Sequence, residues 1–145
     1  MSLRIAIGGD HAGFEHKKFI LNWLQKENYG TADFGPYTPD SFDYPDAVHP
    51  LAEGIEKGAF DFGILICGSG NGVCMTANKH QNIRAGLVWE VELAQLTRQH
   101  NNANVICIPA RYIDENKALD CVKAFLSTEF EGGRHATRVN KIACC

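Results

Sequence analysis

The sequence has no Cys-x-x-Cys pair, no run of lysines and arginines, and no apolar stretch longer than five or six residues. Each absence removes a class of function. Lys and Arg number 14 against 17 Asp and Glu, a formal net charge of −3, so no strongly positive surplus is available to neutralise a phosphate backbone and no nucleic-acid partner is expected. Apolar runs this short fall well below the roughly 20 residues of a membrane-spanning helix, so no membrane role is expected. Met1-Ser2-Leu3-Arg4-Ile5 leads straight into a strand-like run, so no secretory signal is expected and the cytoplasm is the expected compartment. The six cysteines, at positions 67, 74, 107, 121, 144 and 145, have neither zinc spacing nor the look of a disulfide framework. Reduced thiols and no metal site are the expectation.

What is present is an ordinary core. The 145 residues, 45% of them hydrophobic, read as one domain over residues 1–145. Leu3–Gly8, Phe62–Cys67, Arg84–Val88 and Asn104–Ile108 read as buried strands rich in Ile, Leu and Val, and Thr31–Phe34 adds a weaker fifth. Helical periodicity fills the intervals at Phe14–Glu27, Glu90–His100 and Asp114–Leu126, the last opening on an aspartate suited to capping. In Pro45–Lys57 the internal Pro50 is expected to kink or interrupt a helix, and Tyr37–Tyr44 reads as an exposed loop. Alternation of strand and helix predicts an α/β fold, a mostly parallel sheet with helices on both faces. In such folds ligands bind beyond the carboxyl ends of the strands.

Four segments carry candidate chemistry. Gly8-Gly9-Asp10-His11-Ala12-Gly13 follows the first strand and sets an acid beside a histidine, a proton-transfer pair unless Asp10 only caps the next helix. Cys67-Gly68-Ser69-Gly70-Asn71-Gly72 follows a later strand; its alternating glycines present successive N–H groups, a cradle for a phosphate or an oxyanion. A helix N-terminus favours the thiolate of Cys67, and the plainer alternative is a tight turn after a buried cysteine. A cysteine phosphatase would close this loop with an arginine at position 73, where valine stands. A dinucleotide site would want G-x-G-x-x-G after the first strand; the spacing here is G-x-G-x-G after a later one, although Glu90 lies near the distance of a ribose-binding acid.

Arg98-Gln99-His100-Asn101-Asn102-Ala103-Asn104 offers a histidine to shuttle protons and asparagines to bind hydroxyls, or else a left-handed helix stop at Asn101 or Asn102. Arg134 and Arg138, four residues apart with His135 between, form a phosphomonoester clamp or a solvated basic turn; Arg111 could join them or be simply exposed. Together the segments favour a small phosphorylated substrate undergoing proton transfer.

Gly9-Asp10-His11-Ala12-Gly13-Phe14, Asp43-Tyr44-Pro45, Ile66 through Gly72, Ala77-Asn78-Lys79, Arg98-Gln99-His100-Asn101 and Glu131-Gly132-Gly133-Arg134-His135 with Arg138 resemble, in this order and over nearly the whole chain, the type B ribose-5-phosphate isomerases. That family also holds the galactose-6-phosphate isomerase subunits. The resemblance implies a Rossmann-like three-layer α/β/α sandwich with a mostly parallel five-stranded sheet. It implies a homodimer or dimer of dimers with sites shared between subunits, a sugar-phosphate ligand, and neither metal nor cofactor. It further implies that Asp10 and His100 open the sugar ring and that Cys67 is the base moving a proton between C1 and C2 through a cis-enediolate.

The N–H groups from Gly68 to Gly72, with Gly70 and Asn71 among them, would hold the enediolate oxygen, helped by Ser69. His11, Arg111, Arg134 and Arg138 would hold the phosphate, and Tyr44 and Asn101 would line the sugar pocket. One branch of the family places a glutamate at the position of Val73 or Cys74; this chain resembles the cysteine branch. Galactose-6-phosphate enzymes split the catalytic set between two kinds of subunit, whereas this chain carries the whole set. The readings set against ribose 5-phosphate isomerisation are a six-carbon substrate such as allose or galactose 6-phosphate, a nucleotide-dependent oxidoreductase, and a non-catalytic sugar-phosphate sensor.

Overall fold

The computed structural model describes residues 2–144. Five strands, β1 (Arg4–Gly9), β2 (Gly30–Asp33), β3 (Phe62–Cys67), β4 (Ala85–Leu87) and β5 (Val105–Pro109), form one sheet in the order β2-β1-β3-β5-β4. Every pairing is parallel, with Gly9 opposite Ile66 and Cys67 opposite Pro109 at the carboxyl ends. The sheet is thus all-parallel rather than mostly so, and the five strand positions match the sequence reading to within one or two residues.

Strand alternation divides the core into two layers. Ile5 and Ile7 of β1, Ile64 and Ile66 of β3, and Ile106 and Ile108 of β5 point to one face. There they pack on α1 (Phe14–Lys26), α4 (Val91–Gln99) and α5 (Glu115–Ser127). Ala6, Leu65, Cys67, Val105 and Cys107 point to the other, covered by α2 (Tyr44–Glu56) and α3 (Asn71–Ala77). A short α6 (Arg134–Val139) follows, and no helix among the described residues is long and apolar enough to cross a membrane.

Pro50 does not interrupt its helix. α2 runs through it because Ala47, Val48, Leu51, Ala52 and Ile55 are buried on the sheet, while Pro50 lies on the exposed side. The Asp46 carbonyl that loses its partner there can bind water, so packing outweighs the local penalty. A charged residue also enters the core unannounced by periodicity. Lys17 of α1 is 2% exposed, and its Nζ donates to both carboxylate oxygens of Asp33 at the end of β2, at 2.7 and 2.9 Å.

The strand order fixes where a ligand can enter. From β1 the chain turns through α1 toward β2, and from β3 it turns through α3 toward the other side of the sheet. These connections lie on opposite faces. They therefore part at the adjacent carboxyl ends of β1 and β3, leaving a crevice at a topological switch point.

Candidate active site

At that crevice the chain must pass unusually close to itself. A Cβ at Gly9 would overlap the carbonyl oxygen of Ile66, so the step out of β1 admits only glycine. Asp10 follows, and its Oδ1 accepts from Ala12 N–H at 2.9 Å and Gly13 N–H at 3.2 Å, capping the single 3-10 turn His11–Gly13. The capping role is thus realised, and it leaves Oδ2 without a protein partner among the described residues. The Nδ1 of His11 accepts from Phe42 N–H at 3.2 Å, so a neutral ring carries its proton on Nε2. That contact ties the otherwise exposed Tyr37–Asp43 loop to the site. Asp10, His11, Phe42, Asp43 and Tyr44 border a cleft of about 460 Å³.

Cys67 ends β3 and is 4% exposed. The chain then turns through Gly70, whose φ of +75° suits glycine, into α3. The first bond of this helix runs from Cys74 N–H to the Gly70 carbonyl, so the N–H groups of Gly70, Asn71, Gly72 and Val73 lie ahead of the helical ladder. Ser69 Oγ accepts from Asn71 N–H at 3.2 Å. Arg111 packs over the start of the turn: a Cβ on Gly68 would lie 2.9 Å from its Nη1, and Arg111 N–H donates to the Gly68 carbonyl. A Cβ on Gly72 would strike the ring of Tyr44, the first residue of α2. Asp10, His11, Tyr44, Cys67, the glycine turn and Arg111 therefore gather at one end of the sheet.

The remaining candidates are elsewhere. His100 caps the carboxyl end of α4, and the chain passes from it into the amino end of β5. Because all strands are parallel, that is the opposite end of the sheet from Asp10 and Cys67, about 16 Å away along a five-residue strand. Asn102 has a φ of +49° and stops the helix in left-handed geometry, while the side chain of Asn101 is exposed. The turn is held by Arg98, which is 8% exposed; its guanidinium donates to the Ala103 and Thr128 carbonyls and to Asn102 Oδ1 at 2.7–3.0 Å.

Arg134 and Arg138 share α6 and are exposed, with Arg138 Nη1 donating to the Arg134 carbonyl. Glu131 N–H donates to the Gln99 carbonyl, which brings this segment to the end of α4. His135 does not sit in an arginine clamp. It stacks on His100, with ring centroids 4.3 Å apart and planes 11° apart, and both Nε2 atoms face Glu131 Oε1, at 3.5 and 3.9 Å. The Glu131–His135 spacing of four was visible in the sequence; the partnership with His100, more than 30 positions away, was not.

Among the other thiols, Cys107 is fully buried beneath Cys74, and desolvation pushes its ionisation well above the ordinary range. Burial likewise pushes the Cys121 thiol up to about 11. Neither lies at a strand's carboxyl end, whereas Cys67 ends β3 beside the crevice.

The family model described as Ribose/Galactose Isomerase matches residues 5–142. The chain is 43% identical over 144 residues to the probable ribose-5-phosphate isomerase B of Mycoplasma genitalium, covering 98% of this chain and 95% of that one. It is 41% identical over 142 residues to D-erythrulose-4-phosphate isomerase of Pectobacterium atrosepticum, covering 97% and 93%. The crystal structure of a ribose 5-phosphate isomerase from Thermotoga maritima superposes with a TM-score of 0.96 at 42% identity, over 99% of both chains. The Mycoplasma genitalium enzyme, solved with bound ribulose-5-phosphate, superposes with a TM-score of 0.94 at 43% identity, over 98% of this chain and 95% of that one. With its three-layer fold, its crevice and these matches along nearly its whole length, the chain belongs to the ribose/galactose isomerase family and is an isomerase.

Proposed function

We propose that this protein interconverts ribose 5-phosphate and ribulose 5-phosphate, with Cys67 as the base and with each active site assembled from two copies of the chain. The observation that carries the reading is Cys67 at the carboxyl end of β3, directly before a glycine turn whose N–H groups are ahead of the helical ladder. Proton abstraction beside a carbonyl needs a base and a sink for the oxyanion, and these two features are adjacent.

In the proposed sequence, Asp10 and His100 open the furanose ring, His100 protonating the ring oxygen. The Cys67 thiolate removes the C2 proton, and the electron pair moves into a cis-enediolate whose oxygen is held by N–H groups from Gly68 to Gly72, with Ser69 beside them. The proton returns to C1, the O2 hydroxyl proton passes to O1, and the ketose carbonyl forms at C2. His11 Nε2–H, Arg111 and the Arg134–Arg138 pair hold the phosphate, and Tyr44 and Asn101 border the sugar. Phosphate binding energy, remote from the reacting carbons, positions C2 against the thiolate.

The placement of the candidate residues supports the second copy. His100, Asn101, Arg134 and Arg138 lie at the end of the sheet opposite Asp10 and Cys67, and one rigid chain cannot close that gap. An isologous dimer brings the amino-end group of each chain to the crevice of the other, and makes two equivalent sites.

A relative named for a four-carbon sugar phosphate at 41% identity indicates that substrate length changes on this scaffold. The five-carbon choice is supported by the Mycoplasma relatives and by the ribulose-5-phosphate in the solved enzyme. The test is turnover in D₂O with chelator, followed by NMR, with four-, five- and six-carbon aldose phosphates in competition. Ketose formation with solvent deuterium at C1, and the highest kcat/KM for ribose 5-phosphate, is the expected result. Preference for another chain length overturns the substrate, and no ketose from any of them while the protein remains folded overturns the activity.

A further inference from the structure

We propose that His100, Glu131 and His135 form a binding site for a borderline divalent transition-metal ion of the Zn²⁺ class, and that its occupation inhibits the isomerase. Each residue offers one ligand atom, and the three atoms lie within 4.8 Å of one another. Zinc bonds of about 2.0–2.2 Å set tetrahedral ligand atoms roughly 3.3–3.6 Å apart. Glu131 Oε1 already stands 3.5 Å from His135 Nε2 and 3.9 Å from His100 Nε2. Because a metal lies in the plane of each imidazole it binds, the His100 and His135 rings, now stacked with planes 11° apart, must also rotate out of the stack so that both Nε2 lone pairs converge beside Glu131 Oε1.

The supports permit that movement. Glu131 precedes Gly132 and Gly133, both at positive φ, and His100 is at a helix end. Two imidazoles and one carboxylate suit Zn²⁺ and Cu²⁺ and are a poor set for Mg²⁺ or Ca²⁺, which prefer oxygen ligands. Three protein ligands leave a position for water or a sugar hydroxyl. Spacing in the sequence conceals the set, because its members come from the end of α4 and from the segment entering α6.

The inhibitory half of the inference rests on the proposed ring opening. His100 Nε2 would be metal-bound, and a coordinated nitrogen has no proton to give. The binding half stands on geometry alone, which separates the two in experiment.

The test is calorimetric titration with Zn²⁺ of the full chain carrying Cys144→Ser and Cys145→Ser, which removes the terminal thiols. Turnover with increasing Zn²⁺ and its recovery with chelator are measured in parallel. One saturable site is expected. Its affinity should fall by at least about 10–100-fold, the cost of losing even an outer-shell partner, in both His135→Asn and Glu131→Gln, with the inhibition constant rising in step. Co²⁺ bound at this site should show no thiolate charge-transfer band. His49→Asn is the control for the other histidine pair, in which His49 Nδ1 lies 2.8 Å from His80 Nε2; it should leave the affinity unchanged. No saturable binding, a thiolate band, or loss of binding only with His49→Asn overturns the site. Zn²⁺ binding as expected without inhibition overturns the inhibitory role, and absence of turnover in metal-free protein overturns the functional reading while leaving the site standing.

Discussion

Asp10 shows how a side chain can meet a structural demand and still keep an oxygen free of protein partners among the described residues. Its Oδ1 alone caps the 3-10 turn, so capping and the proposed catalysis, which stood as alternatives in the sequence, are compatible in the fold. Cys67 makes the corresponding case among six cysteines, since only its place at a strand end before a glycine turn distinguishes it from Cys107 and Cys121. If Cys67 is the base, Cys67→Ala should lower kcat about 10²–10⁴-fold, the range for a positioned proton-transfer group, with ribose 5-phosphate still bound in calorimetry. Near-normal turnover would show that the base lies elsewhere.

Elements were legible where burial on the sheet dictated composition. The Ile-, Leu- and Val-rich runs of β1, β3 and β5 alternate between two core layers, and α1, α4 and α5 appear where their apolar stripes lie. α2 was not legible as one helix, because a local rule about Pro50 gave way to five buried residues on its inner face. The Lys17–Asp33 pair was equally invisible, since a lysine on an amphipathic helix reads as solvated. It joins α1 to the end of β2, with Phe14 and Tyr37 beside the ammonium. Lys17→Met should destabilise the fold by about 3 kcal/mol, the low end for a broken buried pair, because Asp33 keeps the Gly35 N–H and some water contact. Asp33→Ala should cost more, leaving a charge with no partner in a buried place. Urea unfolding with unchanged m-values checks both, and the reverse order would mean that the aspartate carries the penalty.

At the scale of the molecule, the motifs were readable as a set but their division was not. Nothing in Arg98-Gln99-His100-Asn101 records that it enters the amino end of β5, while Asp10 and Cys67 leave the carboxyl ends of β1 and β3. Strand order and direction settle that, and both arise from pairings between residues far apart in the chain. Under the proposed mechanism, that division calls for a second copy of the chain.

Subunit complementation is the most direct check on that claim. Cys67→Ala and His100→Asn, each inactive alone, would be mixed, unfolded and refolded together. In the mixed dimer one site loses both residues and the other regains both. Random pairing should therefore restore about one quarter of wild-type activity if the site is shared across a two-fold interface. A mixture that remains as inactive as its parents, with mixed dimers shown to have formed, would place Cys67 and His100 in the same subunit's site and contradict the account.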